Sequence, residues 1–158
     1  MSIEDHPSER RLVIRLLDYW RQVTNERRWP SPGDFYPAVI PDLWRYCFLV
    51  DLKGGPGGEA VYRYVGDYHR EMYGVDLTGV PVVKHDADML LHRAASYVDD
   101  VVARAVPVTY GGQFIDSRGF NVLYRSILMP LSSDNETISA VLGGANCQET
   151  PPDLPHSG

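Results

Sequence analysis

The last third of this chain has the least freedom of any part of it. Val106 to Ile115, Phe120 to Leu131 and Thr137 to Gln148 each carry the β-branched and aromatic composition of a strand, and only Asp116-Ser117-Arg118-Gly119 and Ser132-Ser133-Asp134-Asn135-Glu136 separate them. Parallel neighbours need a crossover of a dozen or more residues, whereas antiparallel neighbours can be joined by a short turn. The segment therefore predicts an antiparallel meander. A meander needs something to cover its apolar face, and the preceding residues must supply it.

They supply a hairpin and several helices. Tyr46 to Leu52 reads as one strand, Gly54-Gly55-Pro56-Gly57-Gly58 as a loose turn, and Glu59 to Gly66 as the returning strand. Asp67 to Tyr73 reads as a short helix with Gly74 as its C-cap, and Asp76 to Pro81 as a turn-rich passage. Asp86 to Ala105 is expected as one long helix with Leu90, Ala94, Tyr97, Val98, Val101 and Ala105 inward, and Asp86 and Asp88 in its first turn. At the other end, Ser8 to Arg28 is an amphipathic helix with Ser8 as N-cap and a stripe of Leu12, Val13, Leu16, Leu17, Trp20 and Val23. Three prolines between Trp29 and Pro37 stop it, with Trp29, Phe35 and Tyr36 as anchors, and Ile40 to Arg45 forms a helical turn. The expected layout is α+β: a five-stranded antiparallel sheet with helices on one face and an N-terminal amphipathic helix. Residues 8–148 form one domain, after a flexible stretch at 1–7 and before a disordered proline-containing tail at 149–158.

Composition narrows the function. A formal charge of -6 with no long basic run argues against an electrostatic grip on nucleic acid, which needs clustered Lys and Arg. No apolar run approaches a membrane span and the N-terminus does not read as a signal peptide, so a cytoplasmic protein is expected. Two cysteines, Cys47 and Cys147, are too few for a disulfide framework or a four-thiolate zinc site. No Gly-x-Ser-x-Gly elbow and no Gly-x-x-x-x-Gly-Lys loop is present.

The order of elements resembles a PAS sensor domain from about Leu12 to Cys147, and within that group a variant family of small bacterial proteins. The fragments that carry the resemblance are Tyr19-Trp20, Trp29-Pro30-Ser31, Phe48-Leu49-Val50-Asp51, Tyr62-Arg63-Tyr64-Val65-Gly66, Tyr73-Gly74-Val75-Asp76-Leu77-Thr78-Gly79 and Met129-Pro130-Leu131-Ser132. The resemblance implies a sheet in order 2-1-5-4-3, a pocket between the sheet and the middle helices, signalling rather than turnover, and self-association through the N-terminal helix.

Candidate ligand contacts follow from strand parity and residue chemistry. Arg63 lies between Val61 and Val65, and Arg125 between Leu123 and Ile127, so each guanidinium shares a face with aliphatic neighbours. Inside a pocket it would favour a carboxylate or phosphate; on an outer face it would pair with an acidic residue. With Tyr73, Tyr97, Val101 and Tyr110, these residues make the expected ligand-binding set: Arg63, Val65, Tyr73, Tyr97, Val101, Tyr110, Arg125 and Ile127. Tyrosine suits such a role, since an apolar ring carries a hydroxyl that can orient a ligand. Leu12, Val13, Leu16, Leu17 and Trp20 are the expected dimerisation set, because the stripe must be buried on the chain's own sheet or on a second copy.

The histidines and cysteines raise other chemistries. His85, Asp88 and His92 have a spacing that could hold a metal, yet on one continuous helix His92 falls opposite the apolar stripe and should face water. That placement also weakens haem ligation by His92 and leaves His69 as the better-placed histidine. Asn146-Cys147-Gln148 is similar to a flavin photoreceptor signature, but Cys147 ends a strand rather than belonging to a middle helix, so no photoadduct is expected. If first and last strands are neighbours, Cys47 could approach Cys147; two free thiols fit a reducing compartment better. No cofactor is identified. The expected protein is a non-catalytic regulatory module with a small-molecule ligand or a signalling protein as partner. The alternatives are a cone-shaped nuclear-transport-factor-like enzyme using Asp and His, or a ligand-free adaptor.

Overall fold

The two short connectors of the C-terminal third build their turns from their own side chains. In the first, Asp116 Oδ1 accepts from the backbone N–H of Arg118 at 2.9 Å and of Phe120 at 3.0 Å. In the second, Asp134 accepts from the N–H groups of Glu136 and Thr137, both at 2.9 Å. Such aspartate-centred turns reverse the chain without a long loop. The structure, a computed structural model, describes residues 7–35, 40–83 and 89–153. Its strands are β1 (Cys47–Lys53), β2 (Glu59–Val65), β3 (Val108–Ile115), β4 (Asn121–Leu131) and β5 (Ala140–Thr150), antiparallel in the order β2-β1-β5-β4-β3. The expected sheet is the observed one. β5 continues beyond Gln148, with Glu149 opposite Val122 and Thr150 opposite Asn121, so the first residues assigned to the tail are strand.

The helices are α1 (Pro7–Thr24), α2 (Pro41–Trp44), α3 (Asp67–Tyr73), α4 (Leu90–Ala95) and α5 (Val98–Arg104). α1 stops before Arg28 because Asn25 takes a left-handed conformation, φ 54°, a common way to end a helix. α3 and its Gly74 cap, φ 73°, match the expectation. The single long helix does not: α4 and α5 are separated at Ser96 and Tyr97. Ser96 Oγ donates to the Arg93 carbonyl at 2.7 Å, a local bond that competes with the helical ladder. His85, Asp86 and Asp88 lie outside the described residues, as do Tyr36, Pro37, His6, His156 and the side chain of Ser8.

The sheet separates two helical layers, and Gly143 and Gly144 show where each lies. Successive strand residues point to opposite faces. A methyl on Gly143 would meet Phe48 and Leu128, and Phe48 packs edge-on against His69 of α3; a methyl on Gly144 would meet Leu16 of α1. The inner face therefore carries α3 to α5 and the outer face α1. Trp20 Nε1 donates to the Pro130 carbonyl at 3.0 Å and pins α1 there. Leu12, Leu16 and Trp20 are buried against the chain's own sheet, while Val13 and Leu17 are half-buried. Three of the five residues expected to form a dimer interface are thus already covered. Their burial contributes about 5 kcal/mol or more, which an 18-residue helix of marginal intrinsic stability needs.

The outer side of β2 is also covered. Gly79 N–H donates to the Tyr62 carbonyl at 2.7 Å, Tyr62 N–H to Val80 at 3.0 Å, and Val82 N–H to Ala60 at 2.9 Å, so the segment after α3 runs along this edge. Opposite Leu49 and Val50 the β2 register shifts, leaving Arg63 as a bulged residue.

Candidate functional site

The centre of the inner face is filled. Leu90, Leu91, Ala94 and Ala95 of α4 and Val98 and Val101 of α5 are all no more than 2% exposed, over the small residues Gly143, Ala145 and Ser126. Two histidines are built into this layer. His69 is fully buried; its Nε2–H donates to the Tyr46 carbonyl at 2.9 Å, and its ring meets Phe48 and Tyr68 edge-on. Nδ1 then keeps a lone pair with no hydrogen-bond partner among the described residues. Burial disfavours the charged ring and pushes the His69 pKa down to about 4. His92 is also buried, sharing a 2.9 Å hydrogen bond between its Nδ1 and the Tyr62 hydroxyl, whose pKa burial pushes up. The expectation that His92 faces water is corrected: α4 is a six-residue helix buried on nearly every side, with Leu90, Leu91, His92, Ala94 and Ala95 all buried, so the side opposite the apolar stripe is covered as well.

The space lies at the margin of this layer. A cleft of about 230 Å³ opens between the C-terminal end of α3, the start of α4 and the β3–β4 turn. Met72, Tyr73, Met89, Leu90, Phe114 and Val122 line its apolar part, and Asp116, Ser117, Arg118 and Glu149 its polar mouth. The Tyr73 hydroxyl accepts from the Leu91 N–H and so joins α3 to α4 across the cleft. At the mouth the Arg118 guanidinium bridges Asp116 at 2.5 Å and Glu149 at 2.7 Å, and lies over the Phe120 ring. Burial works to raise the Asp116 pKa, but bonds from Arg118 and from the Phe120 amide outweigh it and hold the carboxyl below its usual range. The cleft is smaller than the ~300–1,000 Å³ of drug-sized ligand sites, so it suits a small molecule with an apolar body.

Alongside α5 runs a tyrosine row. Tyr97 and Tyr110 stack with centroids 4.2 Å apart, and the Tyr110 hydroxyl donates to Asp100 at 2.7 Å. Burial, then Asp100, push the Tyr110 pKa up; the Tyr110 bond and Arg104 hold Asp100 down. Arg93 covers the Phe114 ring, its guanidinium carbon 4.2 Å from the centroid.

The expected ligand set is divided by the sheet. Val65, Tyr73, Tyr97, Val101 and Tyr110 lie on the inner side, but only Tyr73 lines the cleft. Ile127 pairs with Gly144 and Arg125 with Asn146, which places both on the face toward α1. There Arg125 lines a separate groove of about 310 Å³ with Arg10, Val13, Ile14, Thr109 and Gly111, and Tyr110, at the strand edge, borders it too, so this groove holds two of the expected residues. Arg63 is exposed at its bulge and pairs with Asp51 at 3.5 Å, an acidic partner on the neighbouring strand. These eight residues do not make one pocket. Strand parity and residue chemistry do not point to Met72, Met89, Phe114, Val122 or Arg118; Arg118 stands in a turn, which the sequence marks only as a connector.

The other chemistries meet these placements. Cys147 is on the inner side, with Sγ 3.5 Å from the Tyr68 hydroxyl, while Cys47 pairs with Gly144 on the opposite face; neither is in a disulfide. The approach of Cys47 to Cys147 is therefore ruled out by the alternation of side chains. A flavin does not fit the packed inner centre, and haem ligation by His69 is opposed by its engaged Nε2 and enclosed ring. Among the described residues no group of three metal-ligating side chains occurs, and no helix is long and apolar enough to cross a membrane.

Comparison with known proteins agrees with this architecture. A family model described as PAS domain matches residues 5–145. A structure reported for a flavin analogue in a light-oxygen-voltage domain is similar with a TM-score of 0.52 at 10% identity, over 70% of this chain and 82% of that one. The dark structure of the light-oxygen-voltage domain of the blue-light photoreceptor Aureochrome1 is similar with a TM-score of 0.50 at 9% identity, over 72% of this chain and 83% of that one. At such identities the likeness speaks for the fold alone. No curated protein sequence matches the chain.

Proposed function

The chain belongs to the PAS domain family, and from that premise we propose that it is a non-catalytic sensory module acting in the cytoplasm, which takes a small molecule into the cleft between α3, α4 and the β3–β4 turn. The observation that carries this reading is the cleft itself: an apolar floor, a charged mouth bridged by Arg118, and walls contributed by three separate elements. A ligand held there touches both sides of the α3–α4 junction that Tyr73 and Leu91 bridge. It can favour one setting of that junction over another only by the difference in its affinity for the two. A signalling protein would read the altered surface.

The enzyme alternative draws less support. His69 is committed to a backbone carbonyl and His92 to a tyrosine, which leaves neither arranged as a general base toward the cleft.

Native mass spectrometry and an ultraviolet-visible spectrum of freshly purified protein test the reading, followed by thermal unfolding with a metabolite panel. A bound mass or a hit should raise Tm in the wild type, by the equivalent of about 2.7 kcal/mol at a hundredfold excess over Kd. Met72→Trp, at a half-buried cleft position, should remove the effect while the variant stays folded. Stabilisation that survives Met72→Trp would place the ligand elsewhere, and absence of any retained mass or hit would favour a ligand-free adaptor.

A further inference from the structure

Four buried polar side-chain atoms have no hydrogen-bond partner among the described residues: His69 Nδ1, Arg93 Nε, Ser126 Oγ and Asn146 Oδ1. A buried acceptor left unpaired is costly, so each calls for a reason. The first three residues line neither the inner cleft nor the Arg125 groove. Asn146 is placed differently. It is 9% exposed, lies on the face of β5 toward α1, and lines a pocket of about 130 Å³ between α1, α2 and the sheet.

The charged part of the lining favours an anion. Arg11 and Arg15, one turn apart on α1, stand on one side of the pocket, and Asp42 of α2 on the other. Arg15 Nη1 donates to Asp42 Oδ2 at 2.6 Å, which engages the one carboxylate of the lining and leaves further N–H groups on that guanidinium. Two arginines against one aspartate make the pocket positive by one charge, in a chain of net charge -6. At ~30 Å³ per water the volume is that of about four waters, the bulk of a tetrahedral oxyanion and too little for a larger metabolite.

We propose that this pocket binds inorganic phosphate, whose charged oxygens accept from Arg11 and Arg15 and whose remaining hydroxyl donates to Asn146 Oδ1. The unpaired acceptor is what selects the ion. Sulfate offers the arginines the same shape and charge but brings no hydrogen, and so leaves Oδ1 unpaired. A phosphate monoester loses its hydroxyl proton with a second pKa of about 6 and is then in the same position. Inorganic phosphate keeps one hydroxyl throughout the neutral range. A site built to receive a hydroxyl rejects an analogue that lacks it far more strongly than shape alone allows. The bound ion ties α1 to α2 and to β5, on the side of the sheet away from the inner cleft.

Phosphate and sulfate both stabilise folded proteins without binding, so the test must report on single residues. Nitrogen-15 NMR of the labelled chain, titrated with inorganic phosphate at fixed ionic strength and neutral pH, provides that. The side-chain amide of Asn146 and the resonances of Arg11 and Arg15 should shift along one saturable curve. Sulfate and methyl phosphate, the latter above its second pKa, should bind about tenfold more weakly or worse. Arg11→Gln, at an exposed position, should weaken phosphate by about tenfold while its Tm in phosphate-free buffer stays that of the wild type. Asn146→Ala should bring phosphate down to the level of sulfate. Shifts that never saturate, or that survive Arg11→Gln undiminished, would show an adventitious ion only and overturn the proposal. Equal affinity of the wild type for sulfate would also overturn it, since Oδ1 would then take no part in recognition.

Discussion

A neutral imidazole is what the interior beneath α3 demands of His69, and this gives the fold a definite response to acid. The ordinary histidine pKa is 6.5, and burial lowers that of His69 to about 4. Between those values the unfolded chain binds more protons than the folded one, so stability falls as pH drops from 6.5 toward 4 and levels off below it. Above 6.5 the residue contributes no slope. The loss amounts to about 3 kcal/mol over the window. Urea titrations of wild type and His69→Leu at pH 7.5 and pH 5 check this: the wild type should lose the more stability, and parallel losses would remove His69 from the explanation. The sequence singled out His69 as a candidate ligand of a cofactor. Its actual partner, the carbonyl of Tyr46, is a backbone atom from a distant element, which no side-chain pattern advertises.

At the level of elements, α1 meets the sheet through an apolar contact to which Trp20 adds a bond to the Pro130 carbonyl, while Arg15 and Tyr19 bond Asp42 and the Asp34 carbonyl beside it. Trp20→Phe keeps the ring's bulk and removes the donor to Pro130, and should cost about 1 kcal/mol; Trp20→Ala should cost about 3–5 kcal/mol and speed hydrogen exchange along α1. Equal and small effects of both would mean that α1 is not docked through this residue. The hairpin, the meander and α3 with its Gly74 cap were all legible in the sequence, because short turns and a glycine punctuate them. Two features were not. The break between α4 and α5 rests on one serine hydroxyl competing for a carbonyl, a signal too local for periodicity to register. Nor could parity assign faces: from Ser126 to Leu131 every residue of β4 is buried, since helices cover both sides, so alternation is lost. Arg125 and Ile127 were therefore grouped with residues from the opposite face.

For the molecule as a whole, a one-layer sheet between two helical layers keeps its chemistry apart. Cys47 is sealed on the α1 side, where burial pushes its pKa up to about 12, and Cys147 is half-buried beside Tyr68. Oxidation of folded protein should leave no intramolecular disulfide, and thiol titration should find Cys47 unreactive until denaturant is added; a Cys47–Cys147 bond recovered by peptide mapping from the native state would contradict the layering. The covered outer side of β2 has a further consequence, for stoichiometry. A sheet with two bare edges can be extended without limit, and its aggregates are fibres. Here the strip at 79–82 covers one edge, and among the described residues the edge left bare is that of β3. Growth from edge to edge, wherever it occurs, therefore terminates after a single addition.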